Sequence, residues 1–156
     1  MTAFTHYWKN DTFEQMRDGG YDGEPLDHTA GNTFANAGVK KGDAVYVITV
    51  IKGNFFLVGR MIVSQIVHSD AEAARLLGYD VWPAEDHLIA GKNECSPMRF
   101  RRRVPIEIVN QLRFESADRP KPLVFKSPGR LDQQTLRGVR KLTRSSAALL
   151  DSILEQ

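Results

Sequence analysis

The chain has little of what most catalytic or exported proteins display. Its single cysteine, Cys95, cannot close an intramolecular disulfide or supply paired thiolates to a metal, which fits a reducing cytoplasm. No apolar stretch approaches the ~18 uncharged residues of a membrane span, and MTAFTHYWKND lacks the basic and apolar regions of a secretory signal. The expected protein is therefore neither exported nor membrane-bound. The four histidines, His6, His28, His68 and His87, show none of the short spacings that set two donors on one metal. Also absent are a G-x-S-x-G elbow, a Walker-type phosphate loop and a strand followed by G-x-G-x-x-G. No carboxylate stands out beside a His or Lys as an acid/base pair, so no catalytic residue, metal or cofactor is assigned.

What is present is a single domain's worth of globular sequence. With 156 residues, 42% apolar and 26% charged, the chain can bury a substantial core, and residues 1–156 are read as one domain. Its strongest pattern is KKGDAVYVITVIKGNFFLVGRMIVSQIVH, Lys40 to His68. This reads as a long β-hairpin turning at Lys52-Gly53-Asn54. Val45, Val47 and Ile51 lie on one pleat face and Tyr46, Ile48 and Val50 on the other, so protein is expected on both sides. Gly59 interrupts the return strand, as at a bulge or a close backbone approach that bends a strand around a barrel.

Around the hairpin, Phe4 to Lys9 reads as a first strand, and Asn10-Asp11 as the cap of a short helix carrying Phe13 and Met16 and stopped by Gly19-Gly20. Residues 21–38 and 79–97 read as irregular, and a loop of the first length is more often functional than idle. Ser69-x-x-Glu72 is a capping box for a helix ending at Gly78. Residues 115–131 read as a connecting loop, Leu131 to Gly138 as one helical turn, and Thr143 as the cap of a last helix with Ala147, Leu150, Ile153 and Leu154 inward.

Charge is unevenly placed. Residues 99–144 carry thirteen Lys/Arg against four Asp/Glu, although the whole chain is only +2. Such a block is the footprint of a protein that meets a polyanion, or else a solvated basic face. Within it MRFRRRV alternates, with Met98, Phe100, Arg102 and Val104 on one face and Arg99, Arg101 and Arg103 on the other. On a strand the latter three stand ~6–7 Å apart, a candidate phosphate track. Trp8 and Trp82 are the largest stacking surfaces, each where an element meets a loop, although core packing is the commoner role for either one alone. Lys9 and Asn10 follow Trp8 with groups suited to a base edge or, alternatively, to a helix start.

The order of these signals resembles the PUA-like superfamily, in particular its EVE and YTH branches. The residues that carry the resemblance are Tyr7-Trp8-Lys9-Asn10, Lys41-Gly42-Asp43-x-Val45-Tyr46, Val58-Gly59-Arg60-Met61, Val81-Trp82, and the basic stretch leading into Pro105-Ile106-Glu107-Ile108-Val109. It implies an α+β fold, a small twisted β-barrel with peripheral helices, that binds DNA or RNA and holds a modified or flipped base. The pocket implied lies among Trp8, Lys9 and Asn10, then His28, Thr29, Asn32 and Thr33, then Trp82 and the residues up to Asn93. Where YTH readers have a cage tryptophan, the loop before the hairpin offers only His28 and Phe34, which favours an EVE-like pocket. Relatives of that branch can be fused to nuclease domains, which makes such a domain a possible partner. Two rival readings are a small enzyme acting on a nucleotide-like anionic molecule and a protein-interaction domain with a basic face.

Overall fold

The computed structural model describes residues 1–156, a mixed α+β fold built mostly of sheet. In chain order it contains β1 (Ala3–Tyr7), α1 (Asn10–Asp18), β2 (His28–Gly31), α2 (Phe34–Ala37), β3 (Ala44–Ile51) and β4 (Asn54–Ile62). Then come β5 (Gln65–Val67), α3 (Asp70–Leu77), β6 (Asp86–Ile89), α4 (Ile106–Val109), β7 (Arg113–Phe114) and β8 (Lys121–Pro122). The chain closes with β9 (Phe125–Ser127), β10 (Arg130–Leu131), β11 (Val139–Leu142) and α5 (Arg144–Leu154).

The hairpin is β3 and β4. Lys52 and Gly53 both take positive φ, 52° and 79°, so a two-residue type I′ turn joins Ile51 to its partner Asn54. Both faces are covered. Tyr46, Ile48 and Val50 enter the largest core with Phe55, Leu57 and residues of α5 and α4, while Val45 packs with Phe4, Met61 and Leu88, and Val47 with Trp8, Phe13 and Val58. The register shifts between Val47, opposite Gly59, and Ile48, opposite Leu57, which leaves Val58 as the extra residue of a bulge.

The expected barrel is not closed. β4-β3-β1-β11-β7-β8 form one six-stranded sheet with β1 and β3 parallel, and β2-β6-β5 form a second, three-stranded sheet. The chain passes from one to the other at Val63-Ser64, where β4 ends and β5 begins, and the core of Phe4, Val45, Leu88 and Ala90 lies between them.

Several expected loops contain short elements. β2 and α2 fall within 21–38, β6 and a 3-10 turn at Lys92–Glu94 within 79–97, and β8, β9 and β10 within 115–131. The first strand stops at Tyr7, and α1 starts at Asn10 with no side-chain cap. Ser69 does accept from the Glu72 amide, but the Glu72 carboxylate turns to Arg75 instead of completing the box. Thr143 caps α5 as expected, with Leu150 and Ile153 buried. Residues 98–104 form no ladder strand. They run extended along β4 through bonds such as Arg99 N to Val58 O and Val104 N to Phe55 O, both under 3.0 Å. The Arg103 amide then turns back to the Arg101 carbonyl at 3.0 Å, which breaks the strand there. No helix is long and apolar enough to cross a membrane.

Candidate functional site

Two glycine-terminated helices aim tyrosines at one place. α1 stops at Gly19, Gly20 takes φ 82°, and Tyr21 follows; α3 stops at Gly78 with φ 80°, and Tyr79 follows. The two tyrosines, each 45% exposed, stand over a cavity of about 480 Å³ that also touches His28, Trp82, Met16 and Met98. Three carboxylates, Glu24, Asp27 and Asp80, line it, and no Lys or Arg does. Bonds from the Gly23 amide to the Met98 carbonyl and from the Met98 amide to the Glu24 carbonyl, both 2.8 Å, hold the loop under the cavity. Tyr79 Oη donates to Asp27 Oδ1 at 2.7 Å, and burial together with that bond pushes the Tyr79 phenol far above its usual pKa.

Behind the cavity stands a chain of three ionisable side chains. His28 Nε2 lies 2.9 Å from His87 Nδ1, with the rings stacked at 19°, and His87 Nε2 lies 2.6 Å from Asp70 Oδ1. Pairing of β2 with β6 sets the two histidines two residues out of register, on one face of the ladder, and Asp70 opens α3 above them. His28 is buried, and desolvation, with the neighbouring His87 and His6, lowers its pKa to about 4. The bonds from His87 and then the Ala84 amide hold the Asp70 carboxyl below the usual range. Arg60 Nε is the only fully buried side-chain polar atom without a partner, so Nδ1 of His28, which has none in the protein, keeps some exposure, and His28 lines the cavity.

A second network supports this wall from inside. Trp8 Nε1 donates to Thr29 Oγ1 at 2.9 Å, and His6 Nδ1 lies 2.9 Å from the same oxygen. Burial alone lowers the His6 pKa to about 4. Trp8 meets Trp82 edge-on at 6.1 Å, and Trp82 meets His28 edge-on at 4.9 Å. Trp8 is therefore a strut beneath the cavity wall, with its indole N–H already used.

Of the eight residues expected at a base pocket, His28 and Trp82 line the cavity. The other six lie elsewhere. Trp8 and Thr29 are buried behind it, Lys9 is exposed at the start of α1, and Asn10 sits by Thr49, whose hydroxyl donates to the Trp8 carbonyl at 2.7 Å. Asn32 accepts the Glu85 amide at 2.9 Å, Thr33 precedes α2, and Phe34 is core, edge-on to His6. Tyr21, Tyr79 and Asp27 were missed. Large aromatics placed directly after helix-stopping glycines are the signal that could have singled out the two tyrosines.

The arginine stripe divides. Arg99 and Arg101, with Arg102 and Arg17, line a second cleft of about 720 Å³, whereas Arg103 borders a narrow gap by Gly53 and Val104. Met98, Phe100 and Val104 are buried, and Arg99, Arg101 and Arg103 are exposed, as the alternation predicts. Arg102 points inward, and its Nη1 donates to the Leu57 and Val58 carbonyls. Burial and then Arg99 lower its pKa, against the pull of Asp22. Arg17 and Arg99 are paired with Asp18 and Asp22, while Arg101 has no carboxylate within 4.0 Å. The turn from Asp18 to Glu24 separates this cleft from the aromatic cavity. No group of three His, Cys, Asp or Glu side chains is placed to hold a metal ion. No protein-family model matches the chain, and no curated protein matches it.

Proposed function

We propose that this chain binds nucleic acid without transforming it, seating one unpaired or flipped base in the cavity beside His28 and the adjoining backbone in the arginine cleft. The observation that carries the reading is the adjacency of the two clefts. One is ringed by Tyr21, Tyr79, Trp82 and His28; the other presents Arg99 and Arg101; residues of the 18–24 turn line both, and the chain neighbours Met98 and Arg99 line one each. Aromatic faces hold a base by stacking, and guanidinium groups hold phosphates, so neighbouring sites of these two kinds suit one nucleotide and its strand. On this reading the two sheets are an incompletely bonded version of a PUA-like barrel, with the Val58-Gly59 bulge as its bend, and the chain belongs with the EVE branch. Binding of labelled single-stranded DNA and RNA, with and without modified bases, tests it. Saturable binding that Trp82→Ala weakens supports the proposal, and absence of binding to every strand at low salt overturns it.

The Asp70, His87 and His28 chain favours a second reading, a small enzyme on a nucleotide-like ligand, because linked imidazoles can move a proton. An anionic ligand inside the cavity would face Glu24, Asp27 and Asp80, which weighs against that reading. Turnover of mono- or dinucleotides, lost in His28→Phe, would decide for it.

A further inference from the structure

We infer that Asp70 and His87 act as positioning residues that present the bare Nδ1 of His28 to the cavity, so that the cavity selects a base carrying an amino group. This rests on the reading of the cavity as a base site. A carboxylate only accepts, so the 2.6 Å contact is His87 Nε2–H donating to Asp70 Oδ1. The Ala84 amide donates to the same oxygen at 3.1 Å, which keeps it in place. With both imidazoles neutral, Nδ1 of His87 has only a lone pair to offer. His28 Nε2–H must then donate across the 2.9 Å gap, and Nδ1 of His28 is left without a proton. Burial, which lowers the His28 pKa to about 4, keeps that ring neutral at pH 7.

The remaining wall agrees with this assignment. Glu24, Asp27 and Asp80 bring further acceptors, and the Tyr79 hydroxyl hydrogen is already given to Asp27. Apart from the Tyr21 hydroxyl and the Trp82 indole N–H, the polar side chains of the cavity accept. A base with an exocyclic amino group supplies the missing hydrogens. Replacing that amino group by a carbonyl keeps the ring's shape but sets lone pair against lone pair at that position, moves the ring's donor to the adjacent N1–H or N3–H, and leaves Nδ1 of a residue only 6% exposed without its partner. The discrimination therefore lies between adenine or cytosine and their carbonyl counterparts.

The test uses the whole chain at pH 7 and two nucleoside pairs, adenosine with inosine and cytidine with uridine. Nitrogen-15 NMR of the free protein reads the His28 tautomer, and titration reads affinity at the Trp82 and His28 resonances. The inference requires a proton on Nε2 and none on Nδ1 of His28. It also requires each amino nucleoside to bind roughly tenfold or more tightly than its carbonyl partner. His28→Phe keeps a ring against Trp82 and should erase that preference while Trp82 still responds. Should that variant not fold, Asp70→Ala, at the exposed end of the relay, should release the tautomer and reduce the preference. A proton on Nδ1, equal affinities within both pairs, or no nucleoside at the cavity overturns the inference. Oligonucleotide binding with no amino preference overturns it and leaves the nucleic-acid reading standing. An amino preference in a protein that ignores every oligonucleotide does the reverse.

Discussion

A Cβ on Gly59 would stand 2.8 Å from the Ser96 hydroxyl, the oxygen that accepts the Arg60 amide at 2.8 Å. The β4 bulge and the segment that covers its edge thus meet at a point that admits only hydrogen, with Leu26 Cδ2 a further 3.2 Å contact. Gly59→Ala is expected to cost about 1–3 kcal/mol by overpacking. Adding Ser96→Gly should return part of that loss. Urea unfolding of the single and double variants measures both, and a Gly59→Ala protein as stable as the parent would show that the approach is loose.

Val47 and Ile48 are fully buried on opposite faces of β3, in separate cores. Truncating either to Ala should cost roughly 1–4 kcal/mol, because each face is covered. A hairpin with one wet face would show the loss at one position only. Denaturant midpoints of the two variants distinguish these outcomes.

Stability should fall as the solution is acidified. His6 and His28 both have native pKa values of about 4, below the ~6.5 of an unfolded histidine. Between those values the unfolded chain binds more protons than the native one, so the free energy of unfolding rises with pH across pH 4–6.5 and levels off above it. Each ring contributes up to about 3 kcal/mol over that window. Melting temperature against pH reads the slope, which His28→Phe should make shallower. An unchanged slope would place the acid sensitivity in other groups.

Trp82 lines the aromatic cavity and not the neighbouring arginine cleft. Trp82→Ala should lower oligonucleotide affinity by about 1–3 kcal/mol through lost stacking. It should leave the salt dependence of binding intact. Anisotropy titrations at several salt concentrations separate the two quantities, and a changed slope would mean that Trp82 also positions phosphate contacts.

The hairpin, its bulge, the helices starting after Ser69 and Thr143, and the exposure of Arg99, Arg101 and Arg103 were all legible in the sequence, because each is set by neighbours in the chain. β2 was not, since His-Thr-Ala-Gly has no strand pattern of its own and is extended because β6 pairs with it. The relay was equally hidden. Asp70, His87 and His28 are brought together by sheet pairing and a helix start, and their sequence separations carry no sign of it. Trp8 illustrates the limit of composition: an indole beside a loop can face solvent or core, and the Thr29 hydroxyl, distant in sequence, decides for the core. The arginine track shortened because the chain turns back between Arg101 and Arg103, a bend that alternation cannot reveal.

The central claim is that the arginine cleft meets the phosphates of a strand, and the salt dependence of oligonucleotide binding tests it most directly. Each phosphate neutralised releases condensed counterions, so the logarithm of the binding constant falls linearly with the logarithm of salt concentration, by ~0.7–0.9 per contact. Arg99→Ala with Arg101→Ala should weaken binding and flatten that slope by up to about two contacts. An equal slope in the double variant and the parent, or a parent that binds no strand at low salt, would contradict the account.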